Sequence, residues 1–176
     1  MRSLSVVIAS AVLVVTAPVA ARGAETSIYD PDGDGYKGPK LDVTAATMDN
    51  RQNYLSFRID VEKVNKGDLV VYLKLRGHKL IRAVSAYRPG KGTLENFLLG
   101  GDKPEKNSHC PGFIAAWSVS DNTIDLRIPS RCLDGGDYED AKFKILTEIN
   151  ADADLAPADG EDLESEWTWS TWAERG

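Results

Sequence analysis

From residue 41 onward, apolar side chains return at every second position, and this alternation constrains the fold more than any other feature of the 176-residue chain. YLSFRIDVE, starting at Tyr54, puts Leu55, Phe57, Ile59 and Val61 on one face. Asp68 to Arg76 repeats the device with Leu69, Val71, Leu73 and Leu75. Leu80 to Tyr87 follows through Gly77-His78. GFIAAWSV aligns Phe113, Ala115, Trp117 and Val119, with Trp117 expected in the core. TIDLRIP aligns Ile124, Leu126 and Ile128, and AKFKILTEIN aligns Phe143, Ile145, Thr147 and Ile149. A helix needs a repeat of 3.6, which none of these runs provides.

With Leu41 to Met48 and the closing EWTWSTW, the pattern predicts about eight to nine short strands. Lys66-Gly67, Pro89-Gly90, Gly100-Gly101, Asp121-Asn122 and Gly135-Gly136 punctuate them. A strand with one apolar face must bury it against a second sheet, so the expected fold is all-β. It is an antiparallel β-sandwich of immunoglobulin or jelly-roll type, a single domain over residues 25–176. The acidic stretch 150–166 carries Pro157 and Gly160 and reads as a surface loop, with one helical turn over Asp159 to Glu166 the only helix in view.

The first residues have the form of a secretory signal. Arg2 precedes an apolar run, Leu4 to Val15, and APVAARGAE offers small-residue cleavage sites after Ala21, Gly23 or Ala24. The run is shorter than the ~20 residues that cross a bilayer, and no later segment is long enough. The expected location is therefore extracellular, without a membrane span once the signal, residues 1–21, is gone. The formal charge is −6, and Asn150 to Glu166 holds seven acids and no base. That balance argues against a nucleic-acid partner, because phosphate binding relies on clustered Lys and Arg. Glu62 to Lys106 reverses it locally, with ten Lys and Arg against five acids. Cys110 and Cys132 are the two cysteines. In an oxidising compartment such a pair is expected to form a disulfide.

Three groups of residues suggest ligands. DPDGDGYKGPKLD, Asp30 to Asp42, begins like a calcium loop, with Asp30, Asp32 and Asp34 alternating before Gly35. The helix–loop–helix calcium motif needs a bidentate Glu at its twelfth position, which here is Leu41; Lys37 and Lys40 would oppose a divalent ion, and no flanking helices are expected. The segment is a turn between strands or a different calcium site built from Asp30, Asp32, Asp34 and Asp42. Trp167 and Trp169, two apart, share one face of the expected terminal strand and offer rings for stacking on sugars; Trp172 falls on the other phase. For catalysis there is little. Ser108-His109 is a neighbour pair rather than a nucleophile–base geometry, and no zinc or phosphate motif occurs.

The order DPxGD…GPxLDVTAAT, C-P-G-F…W and IPSRCL, carried by Asp30 to Thr47, Cys110 to Trp117 and Ile128 to Leu133, resembles small secreted actinobacterial β-sandwich proteins. More distantly it is similar to the sandwich of DOMON domains and family 9 carbohydrate-binding modules. That resemblance implies a sandwich whose relatives take sugars, haem or calcium. For haem the mature chain offers only Met48, His78 and His109. The expectation is a secreted, non-catalytic binding or accessory module for a carbohydrate or another cell-envelope component, with a calcium ion in a structural role. The alternatives are a structural or protein-interaction protein without a small ligand and, third, a secreted hydrolase.

Overall fold

A computed structural model describes residues 23–30, 40–100, 103–150, 152–158 and 167–176, with only the backbone described for 103–107. The expected signal peptide, Asp32, Asp34 and the Asp159 to Glu166 turn lie outside the described residues.

Among the described residues, twelve strands form two antiparallel sheets. The first sheet has the order β1 (Ala24–Tyr29), β2 (Val43–Arg51), β3 (Tyr54–Val61), β9 (Thr123–Pro129), β8 (Ile114–Ser118). The second runs β11 (Asp152–Ala156), β10 (Asp140–Ile149), β4 (Gly67–Leu75), β5 (Ile81–Arg88), β6 (Gly92–Gly100), β7 (Lys103–Ser108), with β12 (Ala173–Glu174) on the free side of β10. The all-β sandwich is as the alternation requires. Leu55, Phe57, Ile59, Leu69, Val71, Leu73, Leu75, Ile124, Leu126, Ile128, Phe143 and Ile145 are all buried in one core. Phe57 meets Phe143 edge to face across the two sheets, with ring centroids 5.4 Å apart.

The strand count exceeds the expected eight to nine. β1 alternates in burial, but its inward positions are Ala24, Thr26 and Ile28, and β6 carries a mixed pattern, so a repeat of apolar residues at period two announces neither. The reading of 150–166 as a loop is corrected in its first part. Asn150 takes a left-handed conformation (φ 51°), and β11 folds back on β10 with Asp154 and Ala156 buried. The terminal strand expected in EWTWSTW is corrected too: residues 167–172 are irregular, and only Ala173–Glu174 pairs as a strand. Val119, expected in phase with the core, is 58% exposed because β8 ends at Ser118. Trp117 is half-buried, stacks on Tyr87 at 5.1 Å and donates its indole N–H to Ser85 Oγ.

Three devices brace the sandwich, the second and third of them across its layers. Cys110 and Cys132 form the expected disulfide, tying the chain before β8 to the 3₁₀ turn after β9. Asn50, fully buried on β2, donates its amide to Glu139 O and Ala173 O, and so rivets one sheet to the other. Leu41, buried at φ 60°, passes its carbonyl to Thr147 Oγ1 and packs so near Gly67 that a Cβ there would lie 2.4 Å from Leu41 Cδ1.

Candidate functional site

Each sheet turns one face to the core and one outward, so the alternation that builds the core also fixes two outer faces. The two differ in chemistry.

The outer face of the five-stranded sheet is a cleft of 520 Å³ lined by Glu25, Thr47, Asp49, Ser56, Arg58, Ile114, Ala116, Asp125 and Arg127. Strand register explains how residues a hundred positions apart meet there. Glu25 lies opposite Asp49, Asp49 opposite Ser56, Ser56 opposite Arg127, and Arg127 opposite Ile114. One step along, Ser27, Thr47, Arg58, Asp125 and Ala116 form a second row by the same pairing. Neighbouring strands stand about 4.8 Å apart, so each row presents a polar group at every such interval. Opposite charges meet on this face: Arg58 stands across from Asp125 and lies 3.6 Å from Asp60, and Arg51 is paired with Asp49, while Glu25 and Asp49 face each other as like charges. Asp49 also raises the Arg51 guanidinium above its ordinary value, through their hydrogen bond first and their charges second. At one end Arg127 stacks over the Tyr54 ring at 4.2 Å, and Ile114, 55% exposed, forms an apolar wall.

Carboxylates accept hydrogen bonds in pairs, guanidiniums donate them as a fork, and Ser and Thr hydroxyls do both. A face bearing all three, with short apolar stretches between, can read a polyhydroxylated ligand. The signal for this cleft was present in the sequence as the polar phase of β1, β2, β3 and β9: Glu25 and Ser27, Thr47 and Asp49, Ser56 and Arg58, Asp125 and Arg127. A solvated strand face has the same composition, so this phase alone does not mark a site.

Trp167 and Trp169 sit at the outer face of the other sheet. Ser170 docks on β10 by exchanging hydrogen bonds with Phe143: its N–H donates to Phe143 O, and its Oγ accepts from Phe143 N–H. Ala173 pairs with Ala141. Between these pairs one residue of β10, Lys142, opposes two on the terminal segment, Thr171 and Trp172, and this extra residue brings Trp172 to the same face as Trp167 and Trp169 rather than the other phase. Lys144 Nζ lies 3.6 Å from the centroid of Trp167 and 4.8 Å from Trp169. Lys142 Nζ lies 5.3 Å from Trp169 and 4.9 Å from Trp172, and the Arg76 guanidinium lies 4.7 Å from Trp172. Tyr72 meets Trp167 edge to face at 4.8 Å. The result is a ladder in which rings and cations alternate. Burial, and next the charge of Lys142, hold the Lys144 amine below the usual lysine value.

Of the four aspartates read as calcium ligands, Asp30 and Asp42 are described, and both are buried. Asp30 Oδ1 accepts from Ala158 N–H, and the Asp30 N–H donates to Thr44 O. Asp154, which the sequence did not single out, accepts from Val43 N–H at 2.8 Å. Three buried carboxylates therefore border residues 42–44, brought there by β1, β2 and the β10–β11 hairpin. Among the described residues no group of three His, Cys, Asp or Glu side chains is close enough to hold a metal, and none of the helices is long and apolar enough to cross a membrane.

Compared with known proteins, the chain matches no family model, no curated protein and no solved structure.

Proposed function

We propose that the protein is a secreted, non-catalytic binding module that takes a carbohydrate of the cell envelope in the cleft on its five-stranded sheet. The observation that carries this reading is the double row of alternating acceptors and donors, Asp49, Ser56 and Arg127 beside Thr47, Arg58 and Asp125. Vicinal hydroxyls match paired acceptors and forked donors, and the rigid sheet holds these groups at fixed spacing without a loop to order. The cleft supports sugar binding better than Trp167 and Trp169 do, because ammonium groups lie over those two rings where a pyranose would stack.

The test is titration calorimetry against a panel of neutral oligosaccharides. Removing a hydrogen bond to a charged group costs about 1.5–3 kcal/mol, so Arg58→Ala and Arg127→Ala should each weaken binding about tenfold or more. A panel without a ligand, or variants that bind like the parent, would sink the reading.

A hydrolase is the second reading, on one observation: Glu25 stands directly across the ladder from Asp49. Opposed side chains in an antiparallel pair have Cβ atoms about 4.5–5.5 Å apart, near the separation at which two carboxylates cleave a glycosidic bond. Release of reducing ends by any ligand found would move the protein into that class. Calcium in a structural role at Asp30, Asp32, Asp34 and Asp42 is a further part of the proposal, and it rests on the alternating aspartates of the sequence. It predicts a midpoint of thermal unfolding that rises with calcium, falls with chelator, and ceases to respond in Asp42→Asn.

A further inference from the structure

Among the described residues, the outer face of the seven-stranded sheet carries a cluster of positive charge with no carboxylate paired to it. Lys142 lies directly opposite Lys74, and Tyr72 lies between Lys144 and Arg82 in the next row. All four cations are half-buried, and none makes an ion pair among the described residues, whereas Arg76 at the edge is paired with Asp140. Like charges directly opposed across an antiparallel pair destabilise it. The aromatic ladder orients Lys142 and Lys144 and offsets part of that cost, but a ring carries no net charge and leaves the face positive. A chain of net charge −6 has carboxylates to spare, yet on this face Glu148, Asp68 and Glu95 stand in a separate row, on the far side of an apolar one.

Beside the basic row runs an apolar one. Leu155, Leu146, Val70, Val84 and Phe97 are in register across five strands, all half-buried on the same outer face. A ligand that fits both rows has repeated negative charge on one edge and flat C–H surface beside it.

We propose that this face binds an acidic polysaccharide, its carboxylates on Lys142, Lys144, Lys74 and Arg82 and its sugar-ring faces on the row through Val70 and Val84. Charge complementarity selects the anion, and the apolar row selects a glycan over a bare polyanion. The depressed amine of Lys144 fits this role, since an anion would restore the partner that burial and Lys142 deny it. The proposal is independent of the cleft, which lies on the opposite sheet.

The probe is polygalacturonate, with its methyl ester as the uncharged counterpart and inorganic polyphosphate as the sugar-free polyanion. Lys74 and Arg82 stand outside the aromatic ladder among the described contacts, so Lys74→Ser with Arg82→Ser removes charge and leaves the terminal segment anchored. Affinity for polygalacturonate should fall about tenfold or more in that double variant. It should also weaken steeply between about 0.1 M and about 1 M salt, as the screening length shrinks from about 10 Å to about 3 Å. Lys142→Met, which keeps the aliphatic stem and deletes the charge, should weaken binding as well, and Arg58→Ala in the cleft should not. Absence of binding at low salt, equal binding of the methyl ester, or unchanged affinity in the charge-deleted variants would overturn the proposal. Binding of polyphosphate in preference to the uronate would overturn its assignment to a glycan.

Discussion

The two outer faces of this sandwich solve the same problem in opposite ways. Both must keep a strand surface soluble, and both do so with charge. On the five-stranded sheet, cations stand beside carboxylates: Arg58 near Asp60 and across from Asp125, Arg51 on Asp49. On the seven-stranded sheet, Lys142 and Lys144 stand between tryptophans, with Lys74 rather than an acid across the ladder. Salt bridges neutralise what they orient, and cation–π contacts do not. The first face is therefore a balanced hydrogen-bonding surface, suited to a neutral polar ligand. The second keeps net positive charge and suits an anion.

The largest way to break the comparison is at the disulfide. Cys110 and Cys132 bracket β8 and β9, which supply Ile114, Asp125 and Arg127 to the cleft and nothing to the ladder. Cys110→Ser with Cys132→Ser should cost about 3 kcal/mol in the chain-entropy account. Chemical denaturation measures this. Amide exchange should rise first in β8 and β9, while Trp167 and Trp169 keep their fluorescence until global unfolding. Uniform exchange across both sheets would show that the two faces are not separable in this way.

Trp169→Ala comes next and acts on the other face. It deletes two cation–π contacts at about 0.5–1 kcal/mol each, along with the burial of part of a large ring, for a loss of about 2 kcal/mol. The segment docked through Ser170 should then fray, exposing the Phe143 amide to exchange, while ligand affinity in the cleft stays at the parent value.

The smallest effect is a pH dependence. Lys144 releases its proton below its ordinary value of 10.5 in the folded protein, because burial and then Lys142 oppose its charge. Between the folded value and 10.5 the unfolded chain binds more protons, so stability rises with pH through that window. Lys144→Met should flatten the rise measured by urea denaturation at several pH values. A parent protein whose stability already falls with pH there, with no change in slope in the variant, would remove the argument that this cation is uncompensated.

How much of this was legible in the sequence follows from what alternation can and cannot encode. The core strands β3, β4, β9 and β10 were readable because inward positions are uniformly apolar. β1 and β6 were not: β1 alternates but turns Ala24 and Thr26 inward beside Ile28, and β6 does not alternate cleanly between core and solvent. β11 hid inside an acidic stretch in which Asp154 is buried and held by the Val43 amide, a contact 111 residues away that composition cannot foretell. The tryptophans were visible as candidates, but their cations lie on β10 and β4, and only the pairing of Ser170 with Phe143 brings them together. The cleft residues were visible too, as the polar half of each strand. Without register, nothing in the chain distinguishes a row of facing polar groups from an ordinary wet surface.

The most direct test of the carbohydrate-binding cleft is a map of backbone amide and tryptophan indole chemical shifts during titration with the neutral oligosaccharide that binds best. The account predicts shifts concentrated at Thr47, Ser56, Arg58, Ala116, Asp125 and Arg127, with the indoles of Trp167 and Trp169 unmoved. Shifts centred on those indoles, with the five-stranded face silent, would contradict it.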